Sequence, residues 1–497
     1  MRRVYLTIGL LLGLFWLLIL TAQTFLFSTS ATDTLKPEAY LPLIEKAATP
    51  TMTPTPTATP TATAVSPQQP WIITHTLTHN AYQYDHPDCL RPTNPGDFVY
   101  PYPRLNHDCV FQKPKVQRTF QAISLHNRYI SATVLPELGG RLYQFTDKMT
   151  GRQLLYNNPV LKPTVWGHRG WWLASGGIEW AFPTDEHGLN EYRPWQSMIT
   201  STANSVSLTV SDVESQTGVE VGFTLTLDAD HSYLTIHPWL QNDTPQTHNI
   251  QYWLNAMIAL DNNTSTGQTE FLVPAETVII HSTGDEQLPG EHGVMSWPVY
   301  NGRSLNMYQN WDEWIGFFAP ELQAGYTGIY DHNWRHGLLR IVDPAVISGH
   351  KFFGPGTLPP SLWTDDNSEY VEMWSSGVTT DFWTYTPLPT GQRQEWTELW
   401  YPASGLAGIR TANEHGALWL TETWEGVTME VGVTAVTPGT IQLFANGALA
   451  ASWPVQLSPG TAWHMLWQQE PGAAAPWELR LLDSSDAILL TTTWPPP

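Results

Sequence analysis

The chain has 497 residues, room for two to four domains at roughly 100–200 residues each. Lys plus Arg total 23 against 45 Asp plus Glu, a net charge of −22, which excludes the basic footprint that nucleic acid requires. Charged residues are only 14% and hydrophobic residues 42%, so this is not an acidic disordered chain. The 40 Pro and 36 Gly favour turn-rich β structure, and the 25 Trp must fill cores, face a ligand, or do both.

In chain order, Arg2-Arg3 precede an uncharged apolar run from Val4 to Phe27. At 1.5 Å per residue this run can span a bilayer of about 30 Å, longer than a secretory signal needs. A transmembrane signal-anchor is expected over 1–30, with a cleaved signal as the alternative, and the head outside the cytoplasm. Residues 31–66 carry a charge-free Thr/Pro alternation from Thr49 to Ala64, expected to be a disordered linker. Such a stretch extends at about 3.1 Å per residue, a stalk on the order of 50 Å.

Residues 67–118 hold both cysteines, in His86-Pro-Asp-Cys89 and Asn106-His107-Asp-Cys109. Two His and two Cys could hold a metal. Outside the cytoplasm a Cys89–Cys109 disulfide closing a loop of roughly 20 residues is the expected arrangement, with no metal.

Strand patterns dominate 119–405. Val206, Leu208 and Val210 alternate with polar residues, as do Val219 to Leu227, and the polar, Gly218-containing gap between them predicts a hairpin. Beyond Tyr401–Gly405, residues 411–497 predict a small β-sandwich. Asn446-Gly447 between two apolar runs is a hairpin turn, and Asp483–Asp486 separates two more strands. The fold class is all-β: a large sandwich followed by a small one.

Chemistry concentrates between Asn127 and Trp195. Paired glycines beside Glu, His and Trp let backbone and polar groups approach a ligand closely. Five tryptophans, Trp166, Trp171, Trp172, Trp180 and Trp195, fall within 30 residues. Some are expected in a core and some along a ligand groove.

Leu135-Pro-Glu-Leu-Gly-Gly-Arg141, Gly176-Gly-Ile-Glu-Trp-Ala-Phe-Pro183, His187-Gly188 and Trp195 together resemble the galactose-mutarotase-like superfamily. Within it the chain is most similar to an uncharacterised bacterial domain family often found beside tetratricopeptide repeats. The resemblance runs through Thr364–Glu372, ends near Tyr401, and implies a large twisted β-supersandwich. It also implies a sugar-binding face.

Epimerases of that superfamily open an aldose ring with a Glu base and a His acid. Glu372, in Tyr370-Val-Glu-Met-Trp374, matches the base, and His187 an early substrate-contacting His. Asn255 falls where the acid His belongs, and an amide cannot donate a proton as an acid, so a true mutarotase is not expected. Glu179 and Glu372 could instead be the paired carboxylates of a glycoside hydrolase. The candidate catalytic residues are therefore Glu372, Glu179 and His187, and the candidate substrate contacts Arg169, Trp180, Asn255 and Trp374. No cofactor is required. The partners expected are a carbohydrate and, through the N-terminal helix, a membrane. The alternatives are a non-catalytic glycan-binding module and a surface scaffold that binds protein. Asp365–Glu369 offers oxygen ligands without calcium-loop spacing, so a solvated acidic turn is expected there.

Overall fold

The computed structural model describes residues 69–468 and 474–495. The expected anchor over 1–30 and linker over 31–66 lie outside these residues. Among the described residues no helix is long and apolar enough to cross a membrane.

The described chain is almost wholly strand and loop, and its one α-helix is the short His107–Gln112. A 14-stranded and a 9-stranded sheet pack face to face over one continuous core. Two four-stranded sheets from Thr411 onward form a second sandwich with a core of its own, including Leu418, Met429, Ile441 and Leu479. The hairpins follow local chemistry. Ser205–Val213 pairs with Glu220–Asp228 across the polar gap. Asn446 and Gly447 have φ of 46° and 78°, the doubly left-handed turn that suits the twist of flanking strands.

The N-terminal segment differs from expectation. Trp71–Ala81 is a strand of the large sheet, paired residue for residue with Val116–His126, so a boundary at 118 would cut through a strand. Only the loop between these strands carries the cysteines, and Cys89 and Cys109 are bridged across it.

Seven strands of the large sheet position the site. In chain order they are β1 (Arg141–Asp147), β2 (Ile178–Ala181), β3 (Trp253–Ile258), β4 (Thr277–Thr283), β5 (Ile315–Phe318), β6 (Gly349–Gly354) and β7 (Val371–Ser376). They lie in the spatial order β4-β5-β6-β7-β3-β2-β1. Successive side chains of a strand point to opposite faces. Ile178 and Trp180 of β2, Leu254 and Ala256 of β3, Val371 and Met373 of β7, and Phe352 of β6 enter the core between the sheets. The alternate residues emerge on the other face, away from the second sheet.

Candidate functional site

Register across that outer face determines the site. Glu179 of β2 stands opposite Asn255 of β3. Asn255 stands opposite Trp374 of β7, and Trp374 opposite Lys351 of β6. Directly paired residues share a face, so these four make one row across four strands, and Glu372, two residues before Trp374, lies beside it.

Two backbone devices bring His187 to this row. Gly177 has φ +76°, and a Cβ there would lie 2.5 Å from the Leu142 carbonyl oxygen, so only glycine lets β2 lie against β1. After β2 the chain reverses at Asp185–Gly188. Glu186 takes a left-handed φ of 55° that costs a non-glycine residue roughly 1–2 kcal/mol. A Cβ on Gly188, φ +65°, would sit 2.4 Å from the Phe182 nitrogen. The reversal lays the His187 ring flat on Trp172, centroids 4.0 Å apart, with its edge toward Trp374.

The polar groups form one network. Asn255 Nδ2 donates to Glu179 Oε1 at 2.9 Å and to Glu372 Oε1 at 3.4 Å. Glu179 also accepts from Arg141 Nη1 at 3.1 Å and pairs with His187 Nδ1. Burial opposes the Glu179 charge, but His187 and Arg141 beside it hold its pKa below the ordinary value. An ionised carboxylate only accepts, so Nδ1 of His187 carries hydrogen and Nε2 is the nitrogen left for a ligand. Glu372 Oε2 accepts from Trp374 Nε1 at 2.7 Å and from Lys351 Nζ at 3.3 Å.

A cavity of about 180 Å³ opens on this network. Its floor is Glu372, Lys351 and His187, its walls include Trp172, Trp363 and Trp374, and half-buried Trp166, Trp314 and Leu358 rim it. Drug-sized ligand sites span about 300–1,000 Å³, so this one suits a single small ring. Burial pushes His281, on the cavity wall, down to about 3, so it is neutral at pH 7. Burial also raises Glu186.

The structure brings Glu372, His187, Asn255 and Trp374 together. Glu179 joins the network from behind, fully buried under His187 and Asn255, and does not line the cavity. Two candidate contacts lie elsewhere. Trp180 follows Glu179 on the same strand, so the pleat sends it to the opposite face. There it stacks on Phe223 at 3.7 Å and donates to the Gly140 carbonyl. Arg169 is buried in an ion pair with Glu191, Nη1 to Oε2 at 2.8 Å, sandwiched by Trp171 and Tyr192. Its guanidinium is thereby committed to the interior. Asp365 spends its carboxylate on Lys115 and Lys162, each at 2.8 Å.

Lys351 escaped sequence reasoning, although a lone cation in the apolar run Gly349–Gly354 was a signal of a buried, partnered charge. The five clustered tryptophans divide as follows: Trp166 and Trp172 face the cavity, Trp180 and Trp195 enter the core between the sheets, and Trp171 packs on Arg169.

The chain is similar in structure to a TPR-domain containing protein from Parabacteroides distasonis, with 22% identity and a TM-score of 0.60. The match covers 70% of this chain and 58% of that one, so the chain spans less than two thirds of that protein's length. It is also similar to galactose mutarotase-like proteins from Lactobacillus casei and Clostridium acetobutylicum. The first has 12% identity and a TM-score of 0.37 over 56% of this chain and 99% of that one; the second has 10% and 0.42 over 57% and 96%. Residues 95–403, more than half of the chain, match the domain of unknown function DUF5107, and the chain belongs to that family.

Proposed function

We propose that the head binds a neutral, monosaccharide-sized carbohydrate, or the end of a glycan, in the cavity on Glu372, and that it does so outside the cytoplasm, tethered by the N-terminal segment. One observation carries the ligand class: a buried carboxylate, an ammonium and an oriented imidazole converge on the floor of a small cavity walled by indoles. Indole faces suit sugar C–H groups, and the three polar groups suit hydroxyls. An anionic ligand is disfavoured. Lys351, the one lysine or arginine on the cavity lining among the described residues, already faces Glu372, and Glu186 adds further negative charge.

Glu179 supports His187 and Asn255 from behind the cavity and does not line it, which favours sugar binding or work on one sugar ring over glycosidic cleavage by Glu179 and Glu372 as a pair. Asn255 also favours a second reading, a binding module without turnover, because it occupies the acid's expected place. Calorimetric titration of the full chain with neutral aldoses and short oligosaccharides, with reducing-sugar release assayed on every binder, tests both. Saturable binding that Trp172→Ala weakens at least tenfold is expected. Failure of every neutral sugar to bind refutes the proposal.

A further inference from the structure

The strand Trp71–Ala81 lies beside Val116–His126 along its whole length, but on its other side it meets the strand Asn157–Pro163 only at Asn80 and Ala81. Trp71 to His79 is therefore an open edge of the large sheet. One bond fixes which backbone groups face outward. Gln121 N donates to Glu137 Oε2 at 2.6 Å, so that N–H points away from Thr76, the residue opposite. Opposed residues of an antiparallel pair alternate between exchanging both backbone bonds and exchanging neither. Thr76 therefore turns its N–H and C=O to the open side, as do Ile72, Thr74 and Thr78. Tyr82, of the same parity, likewise donates outward, to the Leu161 carbonyl at 2.9 Å. None of Ile72, Thr74, Thr76 and Thr78 finds a backbone partner on that side among the described residues. Natural edges are blunted by charge, proline or a bulge. The run Trp71–His79 holds no Asp, Glu, Lys, Arg or Pro, and its one pairing has no register shift. Trp71, Ile73, Thr74 and Thr76 are exposed.

We propose that this edge pairs antiparallel with the same edge of a second copy of the chain, about a two-fold axis at His75, joining the two large sheets into one. The charge and the sequence of the edge select this occupant and this register. With a net charge of −22 two copies repel, and an uncharged edge lets them meet without setting like charges opposite each other. With the axis at His75, Thr74 pairs with Thr76 of the second copy and Ile72 with its Thr78, so every outward N–H meets an outward C=O. An axis at Thr74 would set Thr78 against Pro70, which has no N–H to give. An axis at Thr76 would set Ile72 against Asn80, which Val160 already holds. The His75 register also matches side chains: Ile73 meets Leu77 and Trp71 meets His79 on one face, and threonine meets threonine on the other. It ends where Pro70 comes opposite Asn80, the point at which Asn157–Pro163 takes over the edge. A contact of this symmetry closes on itself and does not propagate.

Cross-linking tests both the contact and its register. Cys89 and Cys109 are bridged, so His75→Cys adds the one free thiol. The two copies of residue 75 form a non-hydrogen-bonded pair, with Cα atoms about 4.5 Å apart and within disulfide reach. Oxidation of the purified full-length His75→Cys chain is expected to give a covalent dimer that reductant reverses. Thr78→Cys, whose two copies stand about 20 Å apart in this register, should give about tenfold less or none. Sedimentation of the full chain should show a dimer for the wild type and a monomer for Thr76→Pro and Thr76→Lys, both with wild-type tryptophan fluorescence. The proline removes an N–H that bonds nothing within the chain, and the lysine leaves the backbone intact and sets two like charges beside the axis. A wild type that stays monomeric at about 100 μM, a dimer that both Thr76 variants leave intact, or cross-linking of Thr78→Cys as strong as that of His75→Cys overturns the proposal.

Discussion

The support beneath His187 can be tested by removing one charge. Glu179→Gln keeps the shape of a fully buried side chain and deletes the negative charge that Arg141 faces at 3.1 Å. Arg141 is itself fully buried, and its Nε and Nη2 have no partner among the described residues. Breaking a buried pair by removing one partner leaves an uncompensated charge and costs about 3–5 kcal/mol, far above the value of an exposed pair. Adding Arg141→Met removes the stranded cation, so the double variant should be more stable than Glu179→Gln alone. Urea unfolding followed by tryptophan fluorescence reads both. The pH dependence gives a second readout. Folding holds the Glu179 pKa below its ordinary value, so the unfolded chain binds more protons in that range. The contribution is fully present above the unfolded pKa of about 4.3 and is lost as pH falls through the folded value. The wild type should therefore lose a component of stability in acid that Glu179→Gln lacks at every pH. A cost below about 1 kcal/mol, or an identical acid profile in the two proteins, would refute the buried-pair account.

Alkylation without reductant should leave Cys89 and Cys109 unlabelled in mass spectra of the mature protein, and replacing both with serine should lower stability by about 3 kcal/mol, the loop-closure value for a ring of this size. Trp180→Ala should cost about 3–5 kcal/mol as a core cavity, and Arg169→Met should expose the unpaired Glu191 as a stability defect; sugar affinity in calorimetry should stay within about threefold of wild type for both. Protease added to intact cells should release the head by cutting within 49–66, and a head that stays cell-bound and uncut would contradict the tether.

What the sequence disclosed about this site, and what it hid, follows from the pleat and from long-range pairing. The hairpins were legible because their information is local: Asn446-Gly447 supplies a turn chemistry that few other dipeptides can, and alternation on either side sets the faces. Glu179 and Trp180 stand next to each other in one motif, and a motif read as a block hides the fact that neighbours on a strand diverge by half a turn. Applied to β2, the period of two alone sends Trp180 away from Glu179 and into the core. Arg169 stands close in sequence to Trp172 and His187, yet Glu191, the partner that claims it, lies past the reversal at Asp185–Gly188, so its commitment is not visible locally. Asn255 and Glu372 could be aligned on motifs, yet nothing local shows that β3 and β7 are neighbours, separated as they are by more than a hundred residues. Lys351 depends on a further pairing, β6 with β7, and so is visible in sequence only as a charge in the wrong place. The chemistry of this face is thus written in the order of the strands. Each of Glu179, Asn255, Trp374 and Lys351 has an ordinary role alone, and a shift of one residue in any pairing would turn that strand's member of the row to the other face, breaking the row without changing a residue.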